Sequence, residues 1–349
     1  MSSANNYYQS HQKLSFIGIE GQQQLQKAKV LVIGAGGLGC PVLQFLTGCG
    51  IGVIGVVDFD TVSESNLHRQ FLYNVDDIGK PKASTAVKRL SAYNPQVQFN
   101  VHDKIIDEAN VLSILKAYDV IVDCTDNFMV RYLINDACVV LDKPLVYGAI
   151  HQTEGHVTVF NYHGSATLRC LFREANESIQ SCADIGAYNM ITGIIGIMMA
   201  NEGVKIILDH EDVLAGKLNQ FDALTGTTKQ IKYSASNDGR KKSVARFDHT
   251  TMPIEISPEA LQQKITNKEN FLLIDVREKQ ERDEFNIGGE HIPLDELIKS
   301  SLSHISPDTD ITVYCQSGER SLQAVRSLLH KGFIRSVSLK GGMKLFKII

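Results

Sequence analysis

The chain has 349 residues, 43% of them hydrophobic, and a formal net charge of −4. That is ample material for a core, the length fits two domains rather than one, and the weakly acidic balance provides no basic field for nucleic acid. Met1 to Gln12 is polar, and the longest apolar stretch, Met190 to Ala200, stops at Asn201-Glu202, too short to span a bilayer; the expectation is a soluble, cytoplasmic chain.

The segment up to Gln26 reads as an arm and a helix leading into the first strand. Val30 to Ile33 is a short apolar run that breaks into Gly34-Ala35-Gly36-Gly37-Leu38-Gly39. A helical pattern with Pro41 in its first turn follows, then a second β-branched run ending at Asp58. Strand, glycine turn, helix, strand and acid is the order that brings a backbone close to phosphate, with a helix N-terminus offering free N–H groups to an anion. Asp58 lies 24 positions after Gly34, where such folds place the carboxylate that holds ribose hydroxyls. A nucleotide is the implied ligand. Asp60 adds a second acid, and Ser65-Asn66-Leu67-His68-Arg69-Gln70 adds polar and cationic groups. Asn66, Arg69 and the later Lys82 fit a cage for a triphosphate, whereas a hydride-transfer site needs a flat apolar pocket.

Lys82 to Ala92 reads as a helix, Asn94-Pro95 as a turn and Val97 to Val101 as a strand. Val111 to Tyr118 is helical, and Asp119 to Asp123 is a strand whose end delivers Asp126-Asn127. Ligands bind at the carboxyl ends of parallel strands, so Asp58, Asp60 and Asp126 should converge. Asn127 also fits a helix cap for the run Phe128 to Leu141. A strand starts after Lys143-Pro144, and Gly155 to Asn161 alternates like an antiparallel neighbour, so the sheet is expected to be mixed. Arg169-Cys170-Leu171-Phe172 and Ser181-Cys182-Ala183-Asp184 are polar and irregular. Met190 to Leu208 is a long helix whose glycines and methionines suit a packed core or a subunit interface.

Seven cysteines, an odd number, read as thiols rather than a disulfide framework. Cys40, Cys49, Cys124 and Cys138 sit in apolar patterns and read as core residues; Cys170, Cys182 and Cys315 sit in or beside polar, loop-like sequence. Ser234 to Arg246 is serine-rich and basic without apolar period, and reads as a solvated linker. The division expected is 1–233, a linker over 234–251, and a second domain over 252–349. In the latter, Phe271 to Ile274 is a strand ending in Asp275-Val276-Arg277-Glu278, Ile311 to Tyr314 a strand ending at Cys315, and Arg320 to Gly332 a helix. A cysteine there, opening the loop Cys315-Gln316-Ser317-Gly318-Glu319-Arg320, points its sulfur into a ring of backbone N–H groups, which favours a thiolate and can hold a persulfide.

Taken in order, Gly34 to Gly39, Asp58-Phe59-Asp60, Ser65 to Gln70, Gly79-Lys80-Pro81-Lys82 and Asp123-Cys124-Thr125-Asp126-Asn127 resemble the ThiF/MoeB/HesA adenylyltransferases, over roughly residues 10 to 230. The resemblance implies a Rossmann-like mixed α/β adenylation domain that adenylates the C-terminal glycine of a small ubiquitin-like sulfur carrier. ATP would lie with Asp58 on its ribose and Gly34, Gly36 and Gly37 near the phosphates, and Mg²⁺ would be held with Asp126. Arg69 and Lys82 would offset phosphate charge, with Asn66 and Gln70 orienting it and Asp60, Ser65 and Asn127 completing the binding set. A homodimer is implied, with an arm arginine entering the partner's site; Ser10 stands at that position here, and Lys13 is a possible substitute. Many members hold zinc with two CxxC pairs. Thr167 replaces the first of those cysteines and none occurs between Cys182 and Cys315, so no tetrathiolate zinc is expected. Cys182 matches a position that can carry a thioester or persulfide. The C-terminal part resembles a rhodanese domain through Asp275-Val276-Arg277 and the loop from Cys315 to Arg320; this implies sulfur transfer through Cys315 with a donor such as a cysteine desulfurase. Ile287 to Pro293 is shorter than the rhodanese pattern. A nucleotide- and carrier-binding scaffold without turnover, and an NAD-dependent oxidoreductase, are the competing readings.

Overall fold

The computed structural model describes residues 7–172, 186–248, 255–300, 302, 305–306, 309–331, 333 and 335–346. The chain divides into two compact units, Met1–Ala245 and Arg246–Ile349.

The first unit is built on eight strands: β1 (Lys29–Ile33), β2 (Val53–Val57), β3 (Gln98–His102), β4 (Val120–Asp123), β5 (Leu145–His151), β6 (Glu154–Phe160), β7 (Lys217–Asp222) and β8 (Thr228–Lys232). They lie in the order β3-β2-β1-β4-β5-β6-β7-β8. The first five neighbours pair in parallel, and β6, β7 and β8 add antiparallel, as the alternating pattern at Gly155 to Asn161 foretells. Val30 to Ile33 are buried, because helices cover both faces of the parallel part; this is why β1 reads as an unbroken apolar run. The chain leaves β1 toward β2 on one side and later returns to β4 on the other. That reversal opens a crevice at the carboxyl ends of β1, β2 and β4.

The helices that matter for this crevice are α1 (Gly18–Lys27), α2 (Gly39–Cys49), α3 (Lys82–Tyr93), α4 (Phe128–Val140) and α5 (Asn189–Ile207). The helix expected over Met190 to Leu208 is α5, of 19 residues, and it is apolar enough to cross a membrane by length and composition, which corrects the reading of Met190 to Ala200 as too short to span a bilayer. Its place is in the core, with Ile191, Ile195 and Met199 wholly buried. Gly196 of α5 lies where an added Cβ would fall 2.3 Å from Pro41 Cγ, so a side chain there would push α5 off α2. Gly196 is thus a packing residue, whereas Gly193 of the same helix has open space around it.

The stretch Ser234 to Arg246 departs from expectation. Instead of a solvated linker it contains a helix, α6 (Asn237–Asp248). The small residues Gly239 and Ser243, one turn apart, form its contact face: Ser243 is buried beneath Asn135, whose Nδ2 lies 3.3 Å from its Oγ. Close packing through glycine and serine leaves no apolar period to read.

The second unit has a five-stranded parallel sheet in the order β11-β10-β12-β13-β9, made of β9 (Glu255–Ile256), β10 (Leu272–Asp275), β11 (Glu290–His291), β12 (Ile311–Tyr314) and β13 (Ser336–Leu339). Two helices flank its cysteine loop, α7 (Lys279–Glu284) and α8 (Glu319–His330). Ile274, Val276, Val313, Ala324, Val325 and Leu328 form its core. Among the cysteines, Cys40, Cys124 and Cys138 are buried as expected, but Cys49 is only half-buried, and Cys315 is buried despite its polar sequence neighbours.

Candidate functional site

The crevice is a cavity of about 500 Å³, within the range of small-molecule sites. Gly34, which ends β1, has φ +95° and donates its N–H to Val57 at 2.7 Å. An added Cβ would come 2.8 Å from the Cys124 carbonyl, so both conformation and space demand glycine. The turn then passes Gly36 and Gly37 along the wall and enters α2.

Asp58, at the end of β2, accepts the Ala35 N–H at 2.7 Å on Oδ2 and the Asp60 N–H at 2.8 Å on Oδ1. It therefore braces the glycine turn as well as facing the cavity. Burial pushes its carboxyl pKa above the ordinary value, against those backbone hydrogen bonds and the nearby Lys82. Lys82, the first residue of α3, is 5% exposed and its Nζ sits 3.0 Å from Asp60 Oδ2. Arg69 donates from Nη1 to the Ser65 carbonyl at 3.1 Å. Asn66, Arg69 and Gln70 line the cavity, but Ser65 does not. Ser65 supports the wall through its backbone carbonyl, which holds Arg69.

Gln70 is 4% exposed, and its buried Oε1 has no hydrogen-bond partner among the described residues. An orphaned acceptor beside a cavity asks for a donor from a ligand or a water. Asp126 and Asn127 line the opposite wall. The cap reading of Asn127 holds: its Oδ1 caps α4 by accepting the N–H groups of Met129 (2.9 Å) and Val130 (3.2 Å). The carboxylate of Asp126 is exposed at the cavity, an oxygen ligand of the kind a hard divalent cation takes.

Arg131 is a residue the sequence reading missed. It is 5% exposed in α4 and donates from Nε at 3.1 Å and from Nη2 to the Thr125 carbonyl, and from Nη1 to Tyr147 Oη at 3.1 Å. Its guanidinium lies over the rings of Phe128 and Tyr147. From the other side, buried Asp123 accepts the Thr125 N–H at 2.9 Å and hydroxyl at 2.7 Å. Together they fix the turn that presents Asp126. An arginine inside the otherwise apolar start of α4, Phe-Met-Val-Arg-Tyr-Leu-Ile, is the signal that could have found it. Lys104, Ile105 and Thr192 also reach the cavity without having been singled out. Ser10 and Lys13, expected at a partner's site, do not line the cavity of their own chain.

The second unit places Cys315 at the end of β12, wholly buried. The N–H groups of Gly318 and Ser321 point at its sulfur from 3.2 and 3.3 Å. Gly318, at φ +95°, turns the loop into α8. Beside it the buried pair Arg277–Asp275, at 2.8 Å, braces the end of β10, and Arg320 holds Glu281 at 2.6 Å. That contact draws the Glu281 carboxyl down to about 2.

Cys182 lies outside the described residues. Cys170 is half-buried, and its sulfur meets the N–H groups of Ser236 at 3.2 Å and Thr167 at 3.4 Å. Burial opposes the thiolate, but the Ser236 and Thr167 hydrogen bonds outweigh it and lower the thiol pKa. No cluster of three or more His, Cys, Asp or Glu side chains fit for a metal ion occurs among the described residues.

Residues 8–242 match the ThiF family and residues 257–348 match the rhodanese-like domain. The adenylyltransferase and sulfurtransferase MOCS3 of Anopheles gambiae is 48% identical over 221 residues, which are 63% of this chain and only 50% of that protein. The probable molybdopterin-synthase adenylyltransferase of Porphyra purpurea is 34% identical over 348 residues, covering 96% of this chain and 91% of its own length. Among solved structures, E. coli MccB with ATP superimposes with a TM-score of 0.60 at 21% identity, covering 68% of this chain and 73% of that one; at that identity the likeness is one of fold. The chain belongs to the ThiF family, joined in sequence to a rhodanese-like domain.

Proposed function

We propose that this chain is an adenylyltransferase that activates the C-terminal glycine of a small ubiquitin-like sulfur carrier with ATP, and that its rhodanese-like domain supplies the sulfur. The observation that carries the first half is the meeting of Asp58, Lys82, Arg69, Gln70 and Asp126 at one crevice on the carboxyl ends of three strands, although they span 69 positions of sequence (126 − 58 + 1). The named relatives, MOCS3 and the sulfur carrier protein adenylyltransferase of Thermus thermophilus, support it.

In this reading the ribose lies against Asp58 and the phosphates follow the glycine turn toward Lys82 and Arg69. Mg²⁺ belongs with Asp126 and would neutralise phosphate charge. The carrier's glycine carboxylate attacks the α-phosphorus, the bond to the β-phosphate oxygen breaks, and pyrophosphate leaves with that oxygen's electron pair. Lys82 and Arg69 are preorganised cations beside the charge that develops. A persulfide on Cys315 then attacks the acyl carbon of the adenylate and AMP leaves. A second thiol cleaves the resulting acyl disulfide to release the thiocarboxylate; Cys182 is the candidate. A homodimer, a cysteine desulfurase as donor and a cytoplasmic location complete the proposal.

The test incubates the protein and ATP–Mg²⁺ with Gly-Gly-ended ubiquitin-like proteins and reads their masses. A carrier that gains an adenylate, and fails to with Arg69→Ala, supports the reading. ATP binding with no carrier modified moves the assignment to the binding scaffold. Thiocarboxylate formed at the wild-type rate by Cys315→Ala removes the sulfur-transfer half.

A further inference from the structure

The sulfur of Cys315 has a third neighbour besides the two amides: the hydroxyl of Ser321, 3.4 Å away. The amides can only donate to sulfur, whereas the hydroxyl has a choice. Ser321 Oγ also lies 3.1 Å from the Gly318 carbonyl and 2.8 Å from Ser338 Oγ. Cys315, Ser321 and Ser338 are all fully buried, so bulk water does not compete for these positions.

A serine hydroxyl has one proton and two acceptor sites. With Cys315 protonated, the S–H donates to Ser321 Oγ, and the Ser321 proton goes to the Gly318 carbonyl. With Cys315 ionised, the S–H donor is gone and the strongest acceptor in reach is the sulfur anion. The Ser321 proton then turns to sulfur, and Ser338 donates into the lone pair left on Ser321 Oγ. Hydrogen bonds to an ionised acceptor are about twice as strong as neutral ones, which favours the turn.

We propose that Ser321, backed by Ser338, is a positioning residue for sulfur transfer, a hydroxyl rotor that donates its hydrogen bond to the Cys315 sulfur whenever that sulfur carries charge. This rests on the sulfurtransferase reading. With thiosulfate as donor, the Cys315 thiolate attacks the outer sulfur; a sulfur–sulfur bond forms to Cys315, and the bond to the sulfite sulfur breaks with its electron pair leaving on sulfite. Cyanide then attacks the outer sulfur of the persulfide, thiocyanate departs, and the electron pair of the broken bond returns to the Cys315 sulfur. Neither step consumes a proton. The Cys315 sulfur is nucleophile in the first step and leaving group in the second, so charge resides on it at the start of one and the end of the other. The rotor serves both.

Ser321 lies in the first turn of α8 and Ser338 in β13, so the pair also ties helix to strand, and the test separates the two roles. The full chain is assayed for thiocyanate formation from thiosulfate and cyanide as wild type, Ser321→Ala, Ser321→Thr, Ser338→Ala and Cys315→Ala. The expected result is a fall in kcat of about 10- to 100-fold for Ser321→Ala, the worth of one hydrogen bond to a charged group, with KM for thiosulfate unchanged. Ser321→Thr, which keeps the hydroxyl, recovers rate, and alkylation of Cys315 by iodoacetamide at fixed pH slows in Ser321→Ala. Ser338→Ala loses as much thermal stability yet keeps more of the rate. A wild-type kcat in Ser321→Ala overturns the proposal, as does rate loss in both alanine variants that merely tracks their melting temperatures. Thiocyanate formation at the wild-type rate by Cys315→Ala strikes instead at the sulfurtransferase reading on which it rests.

Discussion

Lys82 and Asp60 show how much a single pair can set in this crevice. The lysine side chain is 7% exposed and the aspartate 52%, so an ammonium is held at the cavity by a carboxylate that water reaches. Removing one partner of such a pair leaves the other charge uncompensated. Asp60→Asn is expected to lower the melting temperature of the free protein and to enlarge the stabilisation that ATP–Mg²⁺ brings, because the triphosphate becomes the counter-charge; a thermal-shift titration reads both. Gly34→Ala is expected to cost about 1–3 kcal/mol in denaturant unfolding, from a left-handed backbone that alanine resists and a clash with the Cys124 carbonyl. The glycine turn, Asp58 and Asp126 were legible as cavity residues because each follows closely on a strand end, and Arg69 and Lys82 because they are cations fit for a phosphate cage. Arg131 was not, nor was the support that Ser65, named from the sequence, lends to Arg69. Their roles run through backbone carbonyls, of Thr125 for the one and of Ser65 itself for the other, and a carbonyl leaves no mark in sequence.

Elements were legible in proportion to their apolar period. The strand from Ile311 to Tyr314 falls where its apolar run lies, and α3 and α4 end within one residue of the expected bounds. Helix α6 was invisible because Gly239 and Ser243 make its contacts. An added Cβ on Gly239 would come 3.0 Å from Cys170 Sγ and 3.2 Å from the backbone of Arg169. Gly239→Val is therefore expected to loosen α6 and speed tryptic cleavage at Lys241 and Lys242; unchanged cleavage would mean that α6 does not depend on that contact. At the other unit, Glu281 of α7 holds Arg320 at the start of α8, with its carboxyl drawn from 4.5 down to about 2. A depressed carboxyl contributes stability that is complete above its unfolded pKa and lost as pH falls through its folded one. The difference in melting temperature between wild type and Glu281→Gln should thus be full at pH 6 and shrink between about pH 4.5 and 2. A difference that stays constant down to pH 2 would assign the contact no role.

On the proposed function, the molecule joins a nucleotide crevice and a sulfur loop on one chain. Covalent linkage can raise the concentration of a persulfide near an acyl-adenylate without any new contact, which gives the fusion a chemical reason. The expectation of no tetrathiolate zinc belongs at this scale as well, and metal analysis of the purified chain checks it; one zinc per chain would contradict it. ATP-pyrophosphate exchange tests the central claim most directly, because it reports reversible adenylate formation at the crevice apart from sulfur chemistry. With a Gly-Gly-ended ubiquitin-like carrier present, labelled pyrophosphate should enter ATP, in wild type and Cys315→Ala alike, and not in Arg69→Ala. Exchange that proceeds equally in Arg69→Ala, or that never appears with any carrier although ATP binds, would contradict the account.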